Sequence, residues 1–314
     1  MKKSIGFLFF VLLHFFSLAQ NTIGLPQVKN FNSNDFHAGF QTWDIKQDKH
    51  GRMYFANNEG LITYDGSYWR LYPQPNKTIL RSIAIDGDRI YAGGQDEIGY
   101  YSPNEFGILQ YTSLKNLIPK PYGNFTDIWE IELYNKSVFF RSHDMIFEFN
   151  NDAIKVYNAT SGWLYMKLAG NKLIAQDKTQ GIFQFINNGW QPLISQISIP
   201  DFEITGIVDL NNDSLLISTL LNGLYILSNG KLIKKNISSN DIFSKTHIYS
   251  FEKINNSEYV AGTTSEGCVV INTNGQIVQQ IARPEGLQNN NVLCVFLDRD
   301  KNLWAGLDNG ISFI

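Results

Sequence analysis

Hydrophobic and polar positions alternate over short stretches of the chain, and turn residues separate these stretches. Between Gln41 and Pro73 four such stretches follow one another, and in the first of them Trp43 and Ile45 alternate with polar residues. The last two stretches are joined by Asp65-Gly66, which is a strong signal for a two-residue hairpin. The region therefore predicts a four-stranded antiparallel meander, which cannot bury both of its faces alone.

The same four-part pattern returns along the chain, and a glycine at the start of the third stretch marks its period. Gly181, Gly223, Gly267 and Gly310 follow one another at intervals of 42, 44 and 43 residues. A period of about 40 to 45 residues with four strands per unit is the signature of a β-propeller blade. Because no window shows a convincing helical period, we expect an all-β fold, a β-propeller of about seven four-stranded blades.

The seventh unit lacks its outermost strand, since the sequence ends at Ile314. Residues Gln27 to Phe31 precede the first blade, and we expect them to supply the missing strand and close the ring. A chain that continues beyond Ile314 is a compatible alternative. The predicted domains are therefore an N-terminal segment over residues 20–37, which carries the closing strand, and a propeller over residues 38–314 whose seventh blade is incomplete through truncation.

The first nineteen residues have the pattern of a secretory signal peptide. Lys2 and Lys3 precede an apolar run from Ile5 to Phe16, and small residues follow at Ser17 and Ala19. An uncleaved anchor is the alternative, but the run is short for a bilayer span. No second run of spanning length follows. We expect cleavage before Gln20 and a periplasmic mature chain with no membrane span.

Composition and charge narrow the classes of function. The 314 residues are 43% hydrophobic and 14% aromatic, and the net charge of −3 comes without a basic block, which argues against nucleic-acid contact. Cys268 and Cys294 both lie in apolar strand patterns, which favours two buried free thiols over a disulfide. No Cys/His cluster has zinc spacing, so no metal or cofactor is predicted.

Two runs of the sequence resemble a known family. The opening run QTWDIKQDKHGRMYFANNEGLITYDGSYWRLYP, followed by LRSIAIDGDRIYAGGQDEIGYY, resembles the start of the periplasmic sensor region of Bacteroidetes two-component regulator propeller proteins with a three-tyrosine domain. The closing run NNVLCVFLDRDKNLWAGLDNGISFI is similar to the short repeat of the same family. The resemblance spans nearly all of the mature chain, although blades three to five match only its generic pattern.

The resemblance implies a sensor within a larger regulator. In that family the periplasmic part usually has two propellers and a small β-sandwich, followed by a membrane helix and a cytoplasmic output. The output is a histidine kinase, as in hybrid two-component proteins, or a LuxR-type helix-turn-helix domain. This sequence has no kinase motif and no helix-turn-helix pattern, so signalling would belong to a parent protein and binding to this chain.

Propeller geometry gives the candidate site. Loops that enter the innermost strands and loops between the second and third strands share one face, and here these loops are rich in amides, carboxylates and aromatic residues. This mixture suits sugars, whose apolar ring faces stack on planar side chains. The candidate ligand-binding residues are Arg81, Glu97, Trp163, Tyr165, His247 and Tyr249. Trp43 and Trp304 lie within strands and are predicted to be core residues.

We therefore expect a non-catalytic sensing module for a small molecule, above all an oligosaccharide, with a homodimer through the sensor region as a further expectation. A secreted polysaccharide lyase or glycosidase is the alternative, and it needs an acid and a base at the channel. The only candidate pairs are Glu97 with Asp127 and His247 with Tyr249. A protein-interaction scaffold without a small ligand is a third reading.

Overall fold

The computed structural model describes residues 26–195, 197–211, 214–237, 240–243 and 245–314. The predicted signal peptide lies outside these residues. The described part of the chain forms seven four-stranded antiparallel sheets, and the innermost strands of neighbouring sheets contact one another around a closed ring. The fold is therefore a seven-bladed β-propeller, as the repeat predicted.

Blades one to three are built in chain order from the innermost strand outward. Blade one has strands β2 to β5, at Thr42–Gln47, Met53–Asn57, Gly60–Tyr64 and Trp69–Tyr72. Blade two has β6 to β9, at Leu80–Asp86, Arg89–Gly94, Glu97–Pro103 and Leu109–Ser113. Blade three has β10 to β13, at Glu130–Tyr134, Ser137–Arg141, Met145–Asn150 and Ala153–Asn158.

Blades four to six repeat the same order. Blade four has β14 to β17, at Trp163–Ala169, Lys172–Asp177, Gly181–Ile186 and Gly189–Ser195. Blade five has β18 to β21, at Ile204–Asn211, Ser214–Thr219, Gly223–Ser228 and Lys231–Lys234. Blade six has β22 to β25, at Ile248–Lys253, Glu258–Thr263, Cys268–Asn272 and Ile277–Ile281.

The seventh blade joins the two ends of the described chain. It contains β26 to β28, at Val292–Leu297, Leu303–Leu307 and Ile311–Phe313, and its outermost strand is β1, at Lys29–Phe31. Strand β1 pairs antiparallel with β28, with Phe31 opposite Ile311. The prediction that a segment before blade one closes the ring is confirmed, although the strand is shorter than Gln27 to Phe31.

Short helices occupy a few of the connections. Helix α1 spans Ser33–Phe36 and is capped by Asn32, whose side chain forms a reciprocal capping box with that of Asp35. Helix α2 lies at Asn240–Phe243, and 3-10 turns lie at Lys115–Leu117 and Arg283–Glu285. Helix α1 links the closing strand to blade one and buries Phe36 against Trp69.

The hydrophobic core lies between adjacent blades. One cluster packs Tyr54 and Leu61 of blade one against Ile83 and Tyr101 of blade two, and each of these side chains is at least 96% buried. Cys268 and Cys294 are free and buried in the core, as predicted. Each sheet thus buries both faces against its neighbours, as a lone meander cannot.

A bulge recurs near the start of the innermost strands. The register with the second strand shifts between Thr42 and Asp44, and the same shift occurs in blades two, four, five, six and seven. A bulge leaves one residue unpaired and re-aims its side chain. The unpaired residues are Trp43, Arg81, Leu164, Thr205, Tyr249 and Leu293, and all six line the central cavity described below.

Gly60 is constrained by a close approach of two strands. Its φ is +134°, and a Cβ there would lie 2.5 Å from the carbonyl oxygen of Tyr72. We expect Gly60→Ala to lower the free energy of unfolding by about 1–3 kcal/mol, measured by urea denaturation. Gly66 is the matched control, since its φ of +99° is also positive but no atom lies within 4 Å; equal losses in the two variants would contradict the explanation.

Candidate functional site

The innermost strands enclose a cavity of about 420 Å³ on the axis of the ring. Its walls combine aromatic side chains with charged ones. The aromatic members include Trp43, Trp129, Trp163, Tyr165 and Tyr249, and the charged members are Asp44, Lys46, Arg81, Glu130, Glu132, Arg141, Lys167, Glu203 and Glu252. This volume and mixture lie within the range of small-molecule sites.

Four of the six predicted site residues meet at this cavity. Arg81, Trp163, Tyr165 and Tyr249 all line it. Trp163 is the first residue of β14 and is only 4% exposed, so it forms part of the cavity wall and does not project from a loop. Its indole Nε1 donates a hydrogen bond to the carbonyl of Tyr157 at 3.2 Å.

Glu97 and His247 do not line the cavity. Glu97 is buried within blade two, where it accepts hydrogen bonds from the hydroxyls of Tyr111 and Ser113 at 3.2 and 2.6 Å. His247 is exposed, and its backbone is tied to Thr264. Glu97 is the first residue of β8, and its side chain points towards the outermost strand of blade two. His247 lies before the bulge that turns Tyr249 towards the cavity. The sequence placed these residues on one face of the propeller, but it could not show in which direction each side chain points.

The prediction that Trp43 is a core residue is confirmed only in part. Trp43 is the unpaired residue of the bulge in β2 and is only partly buried, so it packs against the core on one side and lines the cavity on the other. Trp304, by contrast, is 5% exposed and packs in the core, as predicted. The bulge, which the alternating pattern did not reveal, accounts for the difference.

Arg81 packs against two indoles whose rings are nearly perpendicular to each other. Its guanidinium carbon is 4.0 Å from the ring centroid of Trp43 and 4.7 Å from that of Trp129, and its Nε lies 3.2 Å from Oδ1 of Asp127. Trp43 and Arg81 are the unpaired bulge residues of blades one and two. Trp129 lies at the corresponding place in blade three, directly before the first paired residue of β10. Cation–π contact and ion pairing together fix the plane of the guanidinium.

A chain of hydrogen bonds holds Trp43 from the side of blade seven. The amide of Gln41 donates to Asp308 at 2.6 Å and accepts from Asn58 at 3.0 Å, and Asn58 in turn accepts from the indole Nε1 of Trp43 at 2.7 Å. These hydrogen bonds connect loops at the edge of blades seven and one to the wall of the cavity. The orientation of Trp43 is therefore fixed before any ligand arrives.

Arg141 and Glu130 form a forked ion pair in the wall. Arg141 is 5% exposed, its Nε and Nη2 both contact the carboxylate of Glu130, and its Nη1 donates to the carbonyl of Trp163 at 2.9 Å. Burial raises the pKa of Glu130 although the charge of Arg141 lowers it. Arg141 thus joins blade three to blade four, and each of its three nitrogens makes a hydrogen bond.

Two lysines of the cavity wall form further ion pairs. The ammonium of Lys167 lies 3.2 Å from Glu252 and 4.0 Å from Glu132, while Lys46 contacts Asp44 at 2.6 Å. Glu252 raises the pKa of Lys167 well above its usual value, so this lysine stays charged. Burial raises the pKa of Glu132 to about 7, although Lys167 and Lys46 lower it.

The raised pKa of Glu132 predicts a pH-dependent stability. Its ordinary pKa is 4.5 and its folded pKa is about 7, so between these values the folded state holds a proton that the unfolded state releases. The stability of the wild type should therefore fall, relative to Glu132→Gln, as pH rises from about 4.5 to 7, by up to about 1.4 kcal/mol per pH unit. Urea unfolding of both proteins across this range tests it, and parallel curves would contradict it.

The charged wall residues were missed by reasoning from loops. They occupy alternate positions of innermost strands, such as Lys46 in β2, Glu132 in β10, Lys167 in β14 and Glu252 in β22. A central strand packed on both sides has no ordinary place for charge. Charged residues at the same position of several innermost strands were therefore the sequence feature that could have predicted a polar cavity.

The two acid–base pairs of the enzymatic alternative have separate surroundings. Asp127 is engaged by Arg81, whereas Glu97 is engaged by the hydroxyls of blade two. Tyr249 lines the cavity and His247 does not. His143 also lies at the cavity, with its Nδ1 2.8 Å from Asp144, and both side chains are at least half exposed. Among the residues described, no group of three or more His, Cys, Asp or Glu is arranged to hold a metal ion.

The resemblance to two-component regulator propellers is confirmed at the C-terminal end. Residues 286–309 match the family model described as "Two component regulator propeller". No curated protein sequence is significantly similar to the chain. Within the described ranges, no helix has the length and apolar character needed to cross a membrane.

Several solved structures share the fold. The extracellular domain of BT4673 from B. thetaiotaomicron, a protein described as a one-component or hybrid two-component system, superposes with a TM-score of 0.74 at 19% identity over 92% of this chain. The chain spans 40% of that domain's length. Virginiamycin B lyase from Staphylococcus aureus superposes with a TM-score of 0.69 at 14% identity, over 91% of this chain and 98% of the lyase. Propellers of this shape thus include both extracellular domains of regulators and an enzyme.

Proposed function

We propose that the chain is a periplasmic ligand-sensing propeller of a transmembrane signalling or transcriptional regulator, and that it binds an oligosaccharide in the central cavity without turning it over. The observation that carries this proposal is the wall formed by Trp43, Arg81 and Trp129, which is held in place before a ligand binds. The family match at residues 286–309 and the fold shared with the BT4673 extracellular domain support the sensor class.

The chemistry of the cavity suits a sugar. Indole and phenol rings at Trp43, Trp163 and Tyr249 offer flat apolar surfaces, and paired charges beside them offer fixed donors and acceptors. Preorganised side chains reduce the conformational entropy that is lost on binding. A partly polar, aromatic cavity of this kind binds a ligand with several hydroxyls better than a purely apolar one.

The arrangement of titratable groups favours binding over catalysis. Glu130, Glu132, Asp44 and Glu252 each lie within 4.0 Å of a cation, and the pairs considered for acid–base chemistry do not share the cavity. The two carboxylates of a glycosidase need a common substrate between them. Signalling then requires only that the ligand bind one arrangement of the parent protein more tightly than another.

A glycan panel tests the proposal. Isothermal titration of neutral and acidic oligosaccharides, with chromatography of the sugar afterwards, should find at least one that binds and is recovered intact. Trp43→Ala should weaken that binding at least tenfold. Tyr68→Ala is the matched control, because Tyr68 is 78% exposed in a turn outside the cavity. Cleaved sugar, an absence of binding across the panel, or equal loss in both variants would each overturn the proposal.

A further inference from the structure

Arg81 differs from the other cations of the cavity in having a buried nitrogen with no hydrogen-bond partner in the described structure. All three nitrogens of Arg141 contact Glu130 or the carbonyl of Trp163, and Lys46 and Lys167 each contact a carboxylate. Arg81 makes one polar contact in the described structure, from Nε to Asp127. Its Nη1 is buried and has no hydrogen-bond partner there, although its side chain lines the cavity and is 12% exposed.

The two indoles restrict what can satisfy Arg81. Trp43 and Trp129 lie 4.0 and 4.7 Å from the guanidinium carbon, with their rings at 79° to each other. The N–H groups of a guanidinium lie in its plane, so an acceptor approaches in that plane, at the terminal nitrogens. A planar group with two oxygens meets this requirement, since carboxylates bind the guanidinium fork through two parallel hydrogen bonds.

Four of the five carboxylates of the wall are compensated by a cation. Glu130, Glu132, Glu252 and Asp44 each lie within 4.0 Å of a lysine or arginine nitrogen, whereas Glu203 has no ion pair among the described residues. Two further groups of the same cavity can donate hydrogen bonds: Tyr249 lines it, and so does Ser250, whose buried Oγ has no partner in the described structure.

We propose that Arg81 binds the carboxylate of an acidic sugar, so that the ligand is a uronic-acid oligosaccharide. The inference rests on the proposed function and deepens it by naming the charged group of the ligand. The carboxylate would accept from the terminal nitrogens of Arg81 while the sugar ring extends along the aromatic wall towards Tyr249. Neutral sugars lack the group that satisfies the buried donor.

The test compares each acid with its own reduced form. Oligogalacturonides and alginate oligosaccharides are titrated into the protein beside their carboxyl-reduced counterparts, in which each carboxylate has become a primary alcohol. We expect at least one acidic form to bind tenfold or more tightly than its reduced counterpart. This preference should be lost in Arg81→Gln and weakened in Arg81→Lys, which keeps the charge but not the fork.

Controls separate the possible failures. Arg52→Gln is the matched control and should keep the preference, because Arg52 is exposed and does not line the cavity. The thermal midpoint of each variant reports whether it is folded. Equal affinity for acidic and reduced forms, binding of neutral or sulfated sugars only, or an unchanged preference in Arg81→Gln would overturn the inference. Binding of neutral sugars alone would leave the proposed function standing, whereas an absence of binding across all sugars would remove both.

Discussion

Replacing Arg141 with methionine should lower the free energy of unfolding by about 3–5 kcal/mol, because it leaves the carboxylate of Glu130 in the wall without its partner. Arg141 is 5% exposed and uses all of its nitrogens, two on Glu130 and one on the carbonyl of Trp163. An unpaired, desolvated carboxylate takes up a proton more readily. The loss should therefore be smaller at pH 5 than at pH 8, as measured by urea denaturation.

The double variant Glu130→Gln/Arg141→Met is the matched control. It removes both charges, so it should be more stable than Arg141→Met alone, since an apolar or neutral replacement of a buried pair is often tolerated. If the double variant loses as much as the single variant, or if Arg141→Met loses less than about 1 kcal/mol, the buried pair is not what stabilises the joint between blades three and four.

Replacing Phe31 with alanine should also lower the free energy of unfolding by about 3–5 kcal/mol. Phe31 lies in the closing strand and is 6% exposed. Its ring packs edge-on against Trp69 at 5.1 Å and parallel to Trp304 at 6.2 Å. Loss of this ring opens a cavity between blades one and seven, where the two ends of the ring are joined.

Gln27→Ala serves as the control for Phe31→Ala. Gln27 precedes the same strand but is exposed, so its replacement should change the stability by no more than about 0.5 kcal/mol. Thermal and urea unfolding of both variants measure the difference. A small effect of Phe31→Ala would show that the strand pairing between β1 and β28, rather than the aromatic packing, closes the ring.

The fold was predictable because its signal is repeated. Glycines such as Gly223 and Gly267 mark the period, and alternation within each unit marks the strands, so an error in one unit is corrected by the others. The closing strand followed from counting strands, since blade seven otherwise lacked one. Its length was less certain, because three residues carry little pattern of their own.

The site was only partly predictable, for a geometric reason. Loop positions singled out Arg81 and Tyr249, which line the cavity, but the bulges that aim them inward depend on pairing between strands, which the alternation along one strand does not record. Trp43 was therefore assigned to the core. Glu130 and Arg141 face each other across the hairpin of blade three, but Lys167 meets Glu252 from a strand 85 residues away, so that contact appears only in the folded ring.

The most direct test of the account is a crystal structure of the protein soaked with the oligosaccharide that binds most tightly in the panel. The account predicts density for one intact sugar in the central cavity, stacked against Trp43 and within hydrogen-bonding distance of Arg81 or Tyr249. Density for cleaved sugar, or for sugar bound only on the outer surface of the blades, would contradict it.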